Sequence, residues 1–171
     1  HLAGYLAARA AESGVRLLRA GGISVTDEGD RALVSLHGAV DRTGDDPTIV
    51  LEAPLVVTAI GDDPSTDWLR DSGLPLDAEL GVLADRKGRV RPEIVAAGDV
   101  AAFPHAGRHR RLPLWTSAIE QARVAAQALI LGDDGPDLDF QPYFWTEQWG
   151  VGVKACGELP LTGEPETLQG S

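Results

Sequence analysis

Apolar and polar positions alternate along this chain in short segments punctuated by glycine and proline, with two stretches at helical spacing. Residues 2–13 (LAGYLAARAAES) set apolar side chains three and four apart and are followed by Gly14, suited to a left-handed cap, which predicts a helix and its stop. Val15, Arg16, Leu17 and Leu18 predict a short strand. Residues 23–26 and 32–36, separated by the turn Asp27-Glu28-Gly29-Asp30, predict a hairpin. Residues 41–47 (DRTGDDP) carry turn chemistry and 48–52 another short strand. Residues 55–60 (LVVTAI) run continuously apolar, the pattern of a strand covered on both faces in a parallel sheet.

That run ends at Gly61-Asp62-Asp63-Pro64, after which Ser65 and Thr66 predict a capped short helix that stops at Gly73. Residues 81–84 and 87–90 predict a small hairpin. Residues 94–99 (IVAAGD) predict a buried strand ending in a glycine and a carboxylate, and 108–111 (RHRR) a basic loop. Ser117-Ala118-Ile119-Glu120 has the form of a capping box opening a helix that runs to Leu131 and closes at Gly132. Residues 132–139 read as a surface linker, 140–153 as an aromatic-rich, strand-like stretch, and 157–171 as a tail without period. Strands mixed with helices place the chain in the α/β class.

Composition narrows the function. With 171 residues, 43% apolar and 24% charged, the chain can bury one ordinary core, as one or two small domains. Twenty-six acidic against 15 basic side chains give a formal net charge of -11, which argues against nucleic acid as a partner. Cys156 is the single cysteine, so no internal disulfide, multi-cysteine zinc site or Cys-x-x-Cys pair forms within these residues. No apolar run approaches membrane-spanning length, and the chain reads as soluble and cytoplasmic, with no membrane partner. It contains no methionine and begins with His1, which reads as a piece of something longer.

Four places carry candidate chemistry. Gly61 stands where the carboxyl end of a parallel strand would meet a ligand, and is equally a strand-ending turn glycine. Gly98 and Asp99 pair close backbone approach with a carboxylate that can accept hydrogen bonds from ribose or ribityl hydroxyls; the same pair is also ordinary turn chemistry. Trp115 precedes the predicted helix, whose N-terminal N–H groups attract anions; its indole either stacks on a planar ring or packs as a staple. His105 and His109, with Arg108, Arg110 and Arg111, suggest a solvated basic loop rather than a metal site, because no carboxylate or cysteine stands at suitable spacing; attraction of a phosphate or an acidic partner is the alternative reading of this cluster. No nucleophile elbow, phosphate loop or Gly-x-Gly-x-x-Gly is present.

Taken in order, residues 55–61 with Pro64-Ser65-Thr66, then 94–101, then Trp115 with Ala118 and Gln121, then 142–148 (PYFWTEQ), resemble the ferredoxin-reductase branch of the two-dinucleotide flavoprotein family. The resemblance implies a partial two-dinucleotide-binding fold. Residues 1–62 would be the latter part of an NAD(P)H-binding domain, 63–140 the latter part of an FAD-binding domain and 141–171 the start of a C-terminal domain. By resemblance, Asp99 beside Gly98 would bind the FAD ribityl chain and Trp115 would sit on the nicotinamide side of the flavin. Backbone groups of Ser117 and Ala118 would face the pyrimidine edge, and Gly61 would line the nicotinamide path. The implied reaction is hydride transfer from NAD(P)H to FAD, then electron transfer to an iron-sulfur protein, with no catalytic acid or base assigned.

Five residues at three places depart from the family pattern: Pro113 and Leu114 stand where Glu-His is frequent, Ser117 replaces an Asn, and Asp62-Asp63 follow Gly61 where apolar residues are usual. The electron acceptor therefore stays open. Both glycine-rich fingerprints of the family would fall upstream of His1, so the isolated chain is expected to hold little flavin and to be inactive. Two further readings stand beside this one. One is a disulfide reductase whose redox cysteine lies upstream. The other is a non-catalytic binding or assembly domain that keeps the scaffold without cofactor. A homodimer is a further expectation, through an exposed sheet edge.

Overall fold

The computed structural model describes residues 2–38 and 48–157. The turn expected at 41–47 and most of the tail expected at 157–171 lie outside them. Two compact units are present: His1–Gly61 with Glu147–Val151, and Asp62–Thr146 with Gly152–Ser171.

In the first unit, helix α1 (Leu2–Glu12) ends as its pattern predicts, with Gly14 at a φ of 80°. Strands β1 (Gly22–Asp27), β2 (Ala32–His37) and β3 (Ile49–Ala53) form a three-stranded antiparallel sheet in the order β1-β2-β3. Gly22 pairs with His37 and Asp27 with Ala32, so the expected hairpin is present. Its turn closes through the Gly29 N–H donating to the Asp27 carboxylate at 2.7 Å.

Two strands expected in this unit do not form. Residues 15–18 lack ladder pairing, and only Arg19 makes an isolated bridge. Residues 55–60 form no strand, with Leu55 76% and Ile60 90% exposed. An apolar run becomes a strand only where a neighbour supplies hydrogen-bond partners, and among the described residues none runs beside this one.

The second unit is built on a four-stranded sheet in the order β4-β5-β8-β9, formed by β4 (Leu76–Asp77), β5 (Gly81–Leu83), β8 (Ala101–His105) and β9 (Arg108–Arg111). β5 and β8 are parallel, with Val82 opposite Ala101, while β8 and β9 form an antiparallel hairpin. Between them β6 (Arg89–Arg91) pairs with β7 (Ile94–Val95). Helix α2 (Trp115–Leu131) buries Ser117, Gln121, Val124, Ala125 and Ala128, a single stripe at helical spacing. The core gathers Ala84, Ala101 and Phe103, with Val90, Ala96, Val100 and Leu138 packed on it. Where a single strand-like stretch is expected over 140–153, β10 (Tyr143–Gln148) and β11 (Val151–Cys156) form a two-stranded hairpin, with residues 147–151 counted to the first unit.

Several sequence expectations for this unit are corrected. Residues 81–84 and 87–90 do not pair with each other; β5 pairs instead with β4 and β8, and β6 with β7. The expected strand over 94–99 keeps only its first two residues as strand, because Gly98 turns the chain at a φ of 82°. The parallel strand is the next segment, β8, and the turn closes through the Ala101 N–H donating to the Gly98 carbonyl at 3.0 Å. The basic loop at 108–111 is strand β9, whose ladder with β8 satisfies its backbone. The helix expected after Ser65 is a 3₁₀ turn, Asp67–Leu69, without a side-chain cap.

Ser117 does not cap α2. The N-cap is Leu114, without a side-chain hydrogen bond, and Ser117 lies inside the first turn and is buried. The linker at 132–139 is partly built into the fold: Gly135 is buried, and the Leu138 N–H donates to the Arg86 carbonyl at 2.7 Å.

Candidate functional site

Gly98, Asp99, Ser117 and Ala118 are brought together by one buried side chain. Ser117 and Gln121 are four apart on α2, so their side chains lie on the same face of the helix. The Gln121 amide donates to the Ser117 hydroxyl at 2.9 Å, and its carbonyl oxygen accepts the Gly98 N–H at 2.8 Å. Both side chains are almost wholly buried, at 1% exposure for Ser117 and 2% for Gln121. A buried amide with both ends used is a rigid spacer between the turn and the helix. At Gly98 an added Cβ would stand 3.8 Å from the Ala118 Cβ, and the positive φ favours glycine over any other residue.

Asp99 is exposed on this turn, and its carboxylate has no hydrogen-bond partner among the described residues. Its carbonyl is held: the Arg111 Nη1 donates to it at 3.1 Å. The same guanidinium meets the Asp62 carboxylate at 2.5 Å through Nη1 and the Asp62 carbonyl at 2.7 Å through Nη2. The Arg111 side chain is 12% exposed. A planar fork of fixed donors suits this three-acceptor arrangement.

At the mouth of α2 the Ala118 N–H donates to the Leu114 carbonyl at 2.9 Å, so of the two backbone groups expected to face a ligand this amide is already used. The N–H groups of Trp115, Thr116 and Ser117 donate to no protein acceptor among the described residues, which leaves the partial positive charge of the helix terminus open. Trp115 is 78% exposed and does not pack as a staple. The Thr116 hydroxyl donates to the Tyr143 carbonyl at 3.1 Å, anchoring β10 to this turn, and the Tyr143 and Trp145 rings stack with centroids 5.7 Å apart. Beside the turn lies an apolar cavity of about 330 Å³, lined by Leu112, Pro113, Leu114, Pro142, Phe144 and Ala155 among others.

Gly61 belongs to the first unit, at a φ of 95°, and is exposed. Among the described residues no group of three or more His, Cys, Asp or Glu could hold a metal ion. His109 Nε2 instead lies 3.0 Å from the Ala84 carbonyl.

The perturbed titrations lie elsewhere, at structural positions. Burial pushes the Asp85 carboxyl up, but the Arg89 and Lys87 N–H groups and the Arg89 guanidinium together hold it below the usual aspartate value. Arg89 is held above the usual arginine value by Asp133 and Asp85. The Leu80 and Glu79 N–H groups lower Asp77 against slight desolvation.

Sequence reasoning placed Arg111 in a solvated basic loop and gave it no role in holding the Gly98-Asp99 turn. The signal was present: Ala106-Gly107 is a two-residue turn between segments that pair in register, and Ala106 itself has a φ of 47°. Gln121 carried part of the resemblance without a role, although its spacing from Ser117 matches a same-face pair.

A four-stranded mixed sheet with one helix on it, a glycine turn at the helix mouth and a separate three-stranded sheet define part of a two-dinucleotide-binding flavoprotein fold. The comparisons agree. The model of the pyridine nucleotide-disulphide oxidoreductase family matches residues 1–122, and the chain belongs to that family. It is similar to apoptosis-inducing factor 3 of Mus musculus, 35% identical over 130 residues that make up 70% of this chain and 21% of the relative. It is also similar to the ferredoxin--NAD(+) reductase component of the 3-phenylpropionate/cinnamic acid dioxygenase of Photorhabdus laumondii, 29% identical over 91% of this chain and 37% of the relative. Among solved structures, a ferredoxin reductase from Rhodopseudomonas palustris superposes with a TM-score of 0.69 at 29% identity, covering 90% of this chain and 36% of that one. The chain thus spans about a fifth to about a third of the length of these relatives. No helix among the described residues is long and apolar enough to cross a membrane.

Proposed function

We propose that this chain supplies the carboxyl-terminal share of an FAD-dependent NAD(P)H oxidoreductase of the ferredoxin-reductase type. In this reading residues 1–62 complete an NAD(P)H-binding domain, 63–140 complete an FAD-binding domain and 141–171 begin a C-terminal domain. The observation that carries it is the Gln121 bridge, which locks the Gly98-Asp99 turn against the open N-terminus of α2.

The residues present fit a flavin. Asp99 offers an unpartnered carboxylate to ribityl hydroxyls, and Gly98 offers backbone without a side chain. The N–H groups of Trp115, Thr116 and Ser117 suit the electron-rich edge of the pyrimidine ring, and the exposed Trp115 indole offers a face for stacking. When bound, the flavin would supply hydride acceptance and single-electron release. The chain's own part is to bind, orient and bias the charge at the ring edge; no side chain here needs to move a proton. Gly61 is assigned to the nicotinamide path on family grounds. A ferredoxin-like iron-sulfur protein is the proposed acceptor, supported by the names of the reductase relatives. Those names favour this reading over a disulfide reductase and over a cofactor-free module, and the homodimer has no observation behind it.

The test is an amide NMR titration of the purified chain with FAD, paired with gel filtration of the mixture. The expected result is weak binding with shifts confined to Gly98, Asp99 and residues 115–117, and flavin lost on the column. Shifts elsewhere, or none at saturating FAD, overturn the site. Stoichiometric FAD surviving gel filtration overturns the expectation that this chain retains little flavin.

A further inference from the structure

Arg111 reaches both the carboxylate and the backbone of Asp62 and the backbone of Asp99. Asp62 is the residue through which the chain enters this unit, directly after Gly61. Asp99 is on the turn proposed to hold the flavin. Resting on that flavin reading, we infer that Arg111 is a positioning residue: its guanidinium fixes the backbone of the Gly98-Asp99 turn at the Asp99 carbonyl, an atom the Gln121 bond does not reach, and so sets the direction of the Asp99 carboxylate.

The geometry supports this in three ways. Gln121 holds the entry of the turn at the Gly98 N–H, while the Gly98 carbonyl accepts the Ala101 N–H and the Asp99 carbonyl accepts Arg111, so the two amide planes that flank the Asp99 Cα are each tied through their carbonyl oxygen. With both planes tied, the peptide torsions at Asp99 have little freedom, and its side chain points where the backbone aims it. The Arg111 side chain is mostly buried, with both Nη1 donors and one Nη2 donor used on these acceptors. The third support is chemical: a lysine carries a single ammonium on a flexible stem and cannot span acceptors from two separate segments in one plane. Supporting residues that orient a ligand group without touching it commonly change affinity by about tenfold or more when replaced.

The test is a double-mutant cycle on FAD affinity, read by the amide NMR titration, with Arg111→Lys and Asp99→Ala. Arg111→Lys is expected to weaken FAD about tenfold in the wild-type background and to have no further effect once Asp99→Ala has removed the carboxylate. A merely structural role would give additive losses in the two backgrounds, and that result, or an unchanged affinity in Arg111→Lys, overturns the inference. If Arg111→Lys does not fold, Asp62→Asn replaces it in the same cycle; it removes one charged acceptor while leaving both carbonyls, and the expected loss is about threefold, again only when Asp99 is present. Absence of any FAD-dependent shift in the wild-type chain sinks the flavin reading and this inference with it, and it is seen before any variant is made.

Discussion

The sheet β1-β2-β3 and the hairpin β8-β9 are both short antiparallel ladders, and they end in different surroundings. β8 buries Ala101, Ala102 and Phe103, and the Cβ that Gly88 lacks would meet both Phe103 and Ala125 of α2. In the first sheet only Leu36 is buried, while Ile23, Val25 and Val50 stay exposed. Residues 55–60, the most apolar run of the chain, are unpaired. Periodicity therefore registers how much a segment would gain by being covered; the cover itself comes from another element.

Four measurements break or sharpen this contrast. The largest effect is expected in the covered unit. Gly81→Ala would set a Cβ 2.2 Å from the Val100 carbonyl oxygen at a φ of 83°, and should cost at least about 3 kcal/mol in urea unfolding followed by circular dichroism. A loss under about 1 kcal/mol would show that β5 and the Val100 turn yield easily, and the contrast between the units would weaken.

Next comes Gln121→Ala, which strips the Gly98 N–H of its acceptor and the Ser117 hydroxyl of its donor inside the protein. A loss of about 1–3 kcal/mol is expected, with faster amide exchange at Gly98. Unchanged exchange there would mean that the turn holds itself without the helix.

A smaller effect is expected with acid. Because the folded state holds Asp85 below its ordinary value, its contribution is present above about pH 4 and is lost as the pH falls through the depressed folded value. The carboxylate is 43% exposed, so after solvent screening the loss should stay below about 1 kcal/mol. Acid titration of stability in the wild type and in Asp85→Asn checks this; an equal acid loss in both would remove Asp85 as the cause. The smallest effect belongs to the uncovered sheet: Ile23→Ser should change stability by no more than about 0.5 kcal/mol. A loss near that of Gln121→Ala would show that this face is covered in solution.

Much of the candidate site was legible. Gly98-Asp99 stands out as a glycine-carboxylate pair after an apolar run, and Trp115 as an aromatic at a helix start. The error lay in the register of the elements around them. The apolar run at 94–97 reads as the buried strand, yet the Ala96 N–H is used by the Gly88 carbonyl and the parallel ladder falls to β8. Likewise Ser-x-x-Glu predicts a cap at Ser117, but the helix begins two residues earlier and buries the hydroxyl against Gln121. A local motif competes with burial, and here burial decided.

The sequence by itself determined the α/β class, the existence of the two helices, expected at 2–13 and 118–131 and found at 2–12 and 115–131, the first hairpin and the extended character of the aromatic stretch, because each depends on spacing within about a dozen residues. Only the tertiary structure decided that Arg111 holds Asp62 and Asp99, that Gln121 bridges Gly98 to Ser117, and that 55–60 stays unpaired. The first two join residues 12 to 49 positions apart, and the third depends on a neighbouring strand. No local pattern encodes which distant acceptor a side chain reaches or whether a ladder partner stands beside a strand.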